Sequence, residues 1–546
     1  MLLRRIVFFM GEPAAISQTF DNIFHLNAVR YVLDTGSASS LTLGEMNGGG
    51  FYPAGWHGLV SGVVLLTGAE IPIATNMVAI AVAALVWPLG CVFLTRQIVG
   101  DRILPMLAAG VLSAAFGAFP ILMLDFGVLY PNVLSISLLP IVLGALLPAV
   151  GLSGQSVSGQ PVVWRWLVVL AAVPGLALAH PSTLMALLAL MVPVAVRAWW
   201  RQASRIRWAE RGTVMTGVLS TIVLIMGLLV LAVLWYYVRP VKEDAFWGPI
   251  ESPGQAVGEV ITGTQMGRPF SWSLFVLIVV GIGVLVAGRC WWLVGMFGVL
   301  GFLYVAVAGF PMGDTRWFFV GIWYNDPTRL AALIPVIAVP LTAVAATFLV
   351  QRLWILVGRK TVADLYTESS RIQRPTLAAF AGAVLMVVVL TAFTQQAPNI
   401  RYAAANAVAS YQVGPDSALL NQDEMELLSR LDEKLPEDAV VVGNPWNGSG
   451  LAYALSDRES VFTHTFYEVP ESAHILADRL NQAGEDPEVC AAVEELGVDY
   501  VLDFGHREVH GGDHGFDGLD DLQENGVGRV IDVVGDAKVY EITACP

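Results

Sequence analysis

Residues 327–351 read PTRLAALIPVIAVPLTAVAATFLVQ. After Arg329 no charged side chain follows in this stretch, and its apolar residues cover the whole circumference of a helix rather than one stripe. A helix of that kind is buried in a large core or in lipid, and roughly 20 such residues cross a bilayer. Working outward, the same test predicts ten spans in all, at about 72–95, 103–124, 130–150, 163–180, 182–198, 213–238, 272–287, 290–309, 327–351 and 376–396. The expected fold class is an α-helical polytopic membrane protein.

The composition agrees. Of 546 residues, 55% are hydrophobic and 14% charged, where a soluble domain carries about 25% charged residues; the mean hydropathy is +0.64. A soluble enzyme is excluded. The formal charge of −15 is unevenly spread: positions 401–546 hold 29 acidic and 8 basic residues, a net of −21, and the preceding chain holds 16 and 22, a net of +6. Neither part has the concentrated basic surface that nucleic acid requires. The expected organisation is an external loop at 1–71 with two surface helices at about 18–33 and 54–67, a bundle at 72–396, and a polar acidic domain at 397–546.

Lys and Arg collect in cytoplasmic loops. With the first span running from outside to inside, the inside loops hold Arg96, Arg102, Arg165, Arg197, Arg201, Arg205, Arg207, Arg211, Arg289, Arg352, Arg359, Lys360, Arg371 and Arg374, against Arg30, Arg239, Lys242, Arg268, Arg316 and Arg329 outside. Fourteen against six places the acidic domain and the loops 12–71, 239–271 and 310–326 outside the cytoplasm of a multi-pass plasma-membrane protein. This topology predicts that a span precedes residue 1, because MLLRRIVFFM is too short to cross; the alternative is that residues 2–9 lie in the interface.

Polar groups at the membrane edge are costly and so are functional candidates. Asp21 and His25, four apart, share a helix face; the plain alternative is an exposed helix capped by its Asp. Tyr52 and His57 stand on the second surface helix, Asp125 precedes Tyr130 and Asn132, His180 precedes Pro181, and Asp326 precedes Arg329. All map to the outer mouth of the bundle. Arg329 can snorkel to headgroups or hold a phosphate in a fork of hydrogen bonds, with Arg268 and Arg316 in the same layer.

This pattern resembles the GT-C superfamily of integral-membrane glycosyltransferases, which take a sugar from a polyprenyl-phosphate donor at the external membrane face. FDNIFH at 20–25 looks like the acidic motif near the start of that superfamily's first external loop. FYPAGWH at 51–57 lies where protein mannosyltransferase-like and aminoarabinose-transferase-like members carry a His-Pro-Pro-type element. The same two strings are similar to a set of actinobacterial membrane proteins of undefined function. The resemblance implies a GT-C-like bundle with an extracytoplasmic C-terminal domain, acting as an inverting glycosyltransferase. Its partners would be a polyprenyl-phosphate-linked sugar donor, an envelope glycan or lipid acceptor, and membrane lipids, with arabinofuranose or mannose as the sugar. In that mechanism Asp21 is the general base, His25 or His57 orients a substrate, and Arg329, helped by Arg268 or Arg316, stabilises the departing phosphate. Asn22 stands where a second acid is common in the family, which weakens the case for a metal. No cofactor is fixed; a divalent cation would find oxygen ligands at Asp21, Asp125 and Asp326. The other readings are a transporter or flippase for envelope lipids, against which stand the few ionisable residues deep in spans, and a non-catalytic scaffold.

After residue 400 the pattern is that of an α/β domain. Strands are expected at 439–443 and 500–503 with a terminal pair about Gly535-Asp536, and helices at 419–435, 471–483 and 486–496. The loop GNPWNGSG at 443–450 offers Trp446 to a sugar, or simply makes tight turns. It lacks the Lys of a phosphate-binding loop, which excludes nucleotide binding. His506, His510 and His514, with Asp513, sit in a Gly-rich loop and are assigned no metal. Cys490 and Cys545 can pair.

Overall fold

The computed structural model describes residues 1–155, 159–206, 211–356, 377–465 and 469–545. Arg207, Arg359, Lys360, Arg371 and Arg374, counted above for orientation, lie outside the described residues. The chain forms two compact units: Met1–Ile6 with Ile80–Leu124 and Asn132–Asn406, and Val7–Ala79 with Asp125–Pro131 and Ala407–Pro546.

The first unit is helical. Among the described residues, seven helices are long and apolar enough to cross a membrane, at Ile71–Val99, Tyr130–Ala149, Val162–Ala179, Pro181–Ala203, Arg211–Tyr237, Trp291–Gly309 and Pro327–Trp354. Phe380–Gln395 and Pro398–Ala409 make an eighth if the pair, bent by 59°, is one span. Trp272–Ala287 is apolar but has only 16 residues. Residues 330–346 of the longest helix are almost wholly buried, including Leu330, Leu333, Ile337 and Leu341. Gly281 lets a neighbouring helix approach it: a Cβ there would lie 2.6 Å from Leu341 Cδ2 and 2.7 Å from its carbonyl oxygen.

The span expected at 103–124 is corrected. Its helix ends at Leu112, and a second begins only at Ile121. Pro120 has no N–H and excludes helical backbone at Phe119. The carbonyls freed by the break must find donors at membrane depth. Trp87 Nε1 donates to Ser113 O at 2.9 Å, Arg5 to Ala114 O at 3.0 Å, Asn399 Nδ2 to Ala115 O at 3.2 Å and Gln395 Nε2 to Val111 O at 3.1 Å. Gly117 lies in the break because Arg268 lies against it: a Cβ would meet Arg268 Cδ at 3.0 Å.

The second unit carries a five-stranded sheet, β1 Val440–Gly443, β2 Glu459–Ser460, β3 Tyr500–Asp503, β4 Gly528–Val534 and β5 Ala537–Ile542, in the order β2-β1-β3-β5-β4. β1 is parallel to β2 and β3, with Val441 opposite Tyr500. β5 is antiparallel to β3 and β4, and Gly535 (φ 59°) turns the terminal hairpin. Val442, Leu476, Leu480, Val489, Val501 and Tyr540 pack into its core, and Cys490 is disulfide-bonded to Cys545.

Composition divides the chain near 397, but packing does not follow it. The helices Asp21–Thr35 and Gly55–Thr67 belong to the unit of the sheet. Asn27 Nδ2 donates to Gly450 O and Thr463 O, both at 2.7 Å, and its Oδ1 accepts from Ala454 N at 3.0 Å. Gln18 Oε1 accepts from Leu419 N and Leu420 N at 3.1 and 2.9 Å. Two buried amides thus bind the first loop to the loops of the C-terminal sheet.

Candidate active site

Helix Asp21–Thr35 starts at Asp21, a placement that suits the positive end of its dipole. The carboxylate lies against Gly127, which has φ 68°; a Cβ on Gly127 would stand 2.4 Å from Asp21 Oδ2. One turn further, His25 Nδ1 is 3.0 Å from His57 Nε2, and both rings are buried. Burial pushes the His57 imidazole down to about 3, because a buried ring loses the solvation of its charged form. One ring of the pair therefore donates and the other accepts.

Aromatic rings wall this pair in. Tyr130 meets the His25 ring at 5.3 Å and stacks on Trp56 at 4.8 Å. Phe24 touches Tyr52 at 4.4 Å and stands edge-on to His57 at 5.8 Å. Ser410 Oγ donates to Asp125 Oδ1 at 2.7 Å. Asp21, His25, Tyr52, His57 and Asp125 are thus members of one unit.

Trp446 belongs to that unit too, but not as an exposed platform, and this reading is corrected. It is buried, stacked on His514 at 3.6 Å and nearly parallel to Phe20 at 6.3 Å. Packed in this way, it is not an open platform for a sugar ring. His514 is held in turn by buried Glu508, whose Oε2 lies 2.5 Å from Nδ1.

The remaining candidates lie in the helical unit. Asp326 is buried; its Oδ1 accepts from Thr328 N at 2.7 Å and its Oδ2 from Arg329 Nε at 3.2 Å. Burial raises its carboxyl above the ordinary range, and Arg329 opposes the rise. The Arg329 guanidinium covers the Tyr324 ring at 4.6 Å and places NH1 3.4 Å from Asn132 Oδ1. His180 Nδ1 accepts from Ser182 N at 3.2 Å, capping helix Pro181–Ala203. Its Nε2 lies 3.5 Å from Arg329 NH1, so the imidazole and the guanidinium stand edge to edge.

Arg316 is corrected as a ligand-binding candidate. Fully buried, it donates to Val307 O twice, at 3.1 and 2.6 Å, to Trp247 O at 2.6 Å and to Asn325 O at 3.1 Å. It ties two connecting segments together and has no fork to offer a phosphate. Arg268 is buried and donates to Gln265 O at 3.0 Å. Four residues on, Trp272 begins an apolar groove of about 670 Å³ with Val276, Leu349, Trp354, Leu385 and Phe393 along its walls. Ser273 Oγ donates to Phe393 O at 3.0 Å near one end, and Gly382 meets Trp354 near the other; eleven residues of helix separate those points, roughly 16 Å.

Both oxygens of Asp326 are engaged by Thr328 and Arg329, and among the described residues a group of three ligands at metal-binding separation occurs elsewhere, at His506, Asp517 and Asp520. Sequence reasoning missed three features. Gly127 could have been found from its place beside Asp125. Glu508 gave no signal. Neither did Tyr304, whose hydroxyl, inside an apolar helix, donates to Glu259 Oε2 at 2.7 Å and lies 3.1 Å from Glu251 Oε1.

The family described as "Family of unknown function (DUF6541)" matches residues 1–544. The chain belongs to that family. No curated protein matches it. Three solved structures are similar to it. The oligosaccharyltransferase of Archaeoglobus fulgidus in the apo form is 11% identical over 92% of this chain and 69% of that one, with a TM-score of 0.46. ArnT from Cupriavidus metallidurans is 12% identical over 100% of this chain and 97% of that one, with TM-scores of 0.45 in the apo state and 0.48 bound to undecaprenyl phosphate.

Proposed function

We propose that this chain is a membrane glycosyltransferase that moves a sugar from a polyprenyl-phosphate donor to an envelope glycan or lipid at the extracytoplasmic face. The observation that carries the reading is the guanidinium of Arg329, braced by Asp326 and Tyr324 and set 3.5 Å from His180 Nε2. Its fork offers hydrogen bonds to a phosphate oxygen. Such a cradle acts on the charge that grows on the leaving phosphate as the glycosidic bond breaks. The apolar groove beginning beside Arg268 suits an isoprenoid chain. Asp21 takes the role of base toward the acceptor hydroxyl, and the His25–His57 pair holds the acceptor by hydrogen bonds.

The test is transfer by the purified full chain in nanodiscs, supplied with radiolabelled polyprenyl-phosphate sugars and an envelope acceptor fraction. Wild-type transfer and its loss in Asp21→Asn is the expected outcome. Equal transfer by Asp21→Asn removes Asp21 as base. Movement of labelled lipid between leaflets without sugar transfer would instead support a flippase.

A further inference from the structure

The segment HREVHGGDHGFDGLDD, residues 506–521, joins β3 to the last hairpin. Its three histidines separate in the fold. His514 is taken up by Glu508 and Trp446, and His510 sits beside Phe20 at 5.1 Å. His506 meets two carboxylates: its ring, Asp517 and Asp520 each present a ligand atom, all within 4.8 Å of one another, and His506 Nε2 lies 2.9 Å from Asp520 Oδ2.

That spacing is near the edge of a coordination polyhedron. With metal–ligand bonds of about 2.1 Å, neighbouring ligand atoms lie about 3.0 to 3.5 Å apart, which His506 and Asp520 already match at 2.9 Å. Asp517 is well anchored. Its turn, Asp517–Leu519, presses on the helix Glu471–Arg479, where a Cβ on Gly518 would stand 2.4 Å from Arg479 N, and Asn481 Nδ2 donates to Asp517 O at 2.9 Å.

The charge around the group is one-sided. An adjoining cavity of about 650 Å³ is lined by Asp503, Asp521 and Glu524, with Lys538 the cation facing them. Lys538 is 3.9 Å from Asp503 and leaves the other carboxylates uncompensated. A divalent ion is drawn to this excess of carboxylates.

We propose that His506, Asp517 and Asp520 form a binding site for a first-row divalent transition ion, zinc or manganese. One imidazole with two carboxylates suits these ions, whereas calcium and magnesium favour all-oxygen sets. Three protein ligands leave positions for water or an exogenous oxygen. The site is distinct from Asp21 and from Arg329 and does not depend on the proposed transferase reading.

The experiment uses the full chain, purified in detergent and stripped with chelator, titrated separately with Zn²⁺, Mn²⁺ and Ca²⁺ by calorimetry. His506→Gln and Asp517→Asn are the variants; both positions are exposed, so both variants should fold, as circular dichroism and thermal melting will check. The wild type is expected to bind one more equivalent of Zn²⁺ or Mn²⁺ than either variant, with Ca²⁺ in excess failing to displace it. Equal stoichiometry in wild type and variants overturns the site, as does binding of Ca²⁺ alone.

Discussion

The Asp21 carboxylate fills the space that a side chain on Gly127 would occupy, with Oδ2 only 2.4 Å from where the Cβ would stand. Gly127→Ala must therefore displace the carboxylate, and it also forces an L-residue to φ 68° at a cost of about 1 kcal/mol or more. Gly36 has the same backbone sign, φ 65°, with nothing within 4 Å of its Cβ position. Gly36→Ala thus carries the strain without the displacement. Sugar transfer should fall in Gly127→Ala to the level of Asp21→Asn and stay near wild type in Gly36→Ala, with similar drops in melting temperature.

The buried His57 makes the protein acid-sensitive. Its ring is pushed from the usual 6.5 to about 3 in the folded chain, so the unfolded chain binds the proton more readily. Stability from this group is complete above pH 6.5 and drains as pH falls toward 3, by up to about 1.4 kcal/mol per pH unit. In His57→Gln the amide keeps a hydrogen-bonding partner for His25 and does not titrate. Melting curves of the two proteins between pH 7 and 4 should converge as pH falls; parallel curves would mean that His57 accepts a proton in the folded state.

Much of this was legible from residue pattern. Lipid-spanning helices announce themselves by length and by the lack of charge, and the strands at 440–443 and 500–503 by short apolar runs between turn residues. The break at 113–120 was not legible, because AAFGAFP is as apolar as a span and its carbonyls are satisfied by Arg5, Trp87, Gln395 and Asn399 from distant segments. Local reading placed Asp21 and His25 on one helix face, since i and i+4 follow from helix geometry. It could not pair His25 with His57, 32 residues away, or bury Trp446 beside Phe20 and His514. Arg316 and Arg329 look alike in sequence, and only tertiary partners separate them.

Glu251 gives the opposite pH response. The single Tyr304 hydrogen goes to Glu259 Oε2 at 2.7 Å, and Met266 N donates to the Tyr304 oxygen. Burial, with Glu259 close by, pushes the Glu251 carboxyl up to about 7. It is therefore protonated in mildly acidic medium, where its carboxyl hydrogen bonds to Glu259. Because the folded value exceeds the usual 4.5, this contribution is complete below pH 4.5 and is lost as pH rises through 7. Glu251→Gln keeps a donor at every pH, so the alkaline fall in melting temperature between pH 6 and 9 should be shallower than in wild type.

Arg316 and Arg329 should fail in different ways. Arg316→Ala leaves three buried carbonyls, those of Trp247, Val307 and Asn325, without their charged donor. Hydrogen bonds to charged groups are worth about 1.5 to 3 kcal/mol each, so the loss is about 3 kcal/mol or more, and Lys, with one compact ammonium, cannot reach all three. Arg329→Ala removes one ion pair with Asp326 and the contacts to Asn132 and Tyr324, at a position 17% exposed. Its stability cost is smaller and its cost in phosphate binding larger. Thermal melting and native mass spectrometry with undecaprenyl phosphate separate the two: Arg316→Ala lowers the melting temperature strongly, and Arg329→Ala loses bound lipid while melting near wild type. Arg329→Lys recovers charge without the fork and should regain only part of the binding. Full lipid binding by Arg329→Ala would remove the guanidinium from the proposed phosphate site.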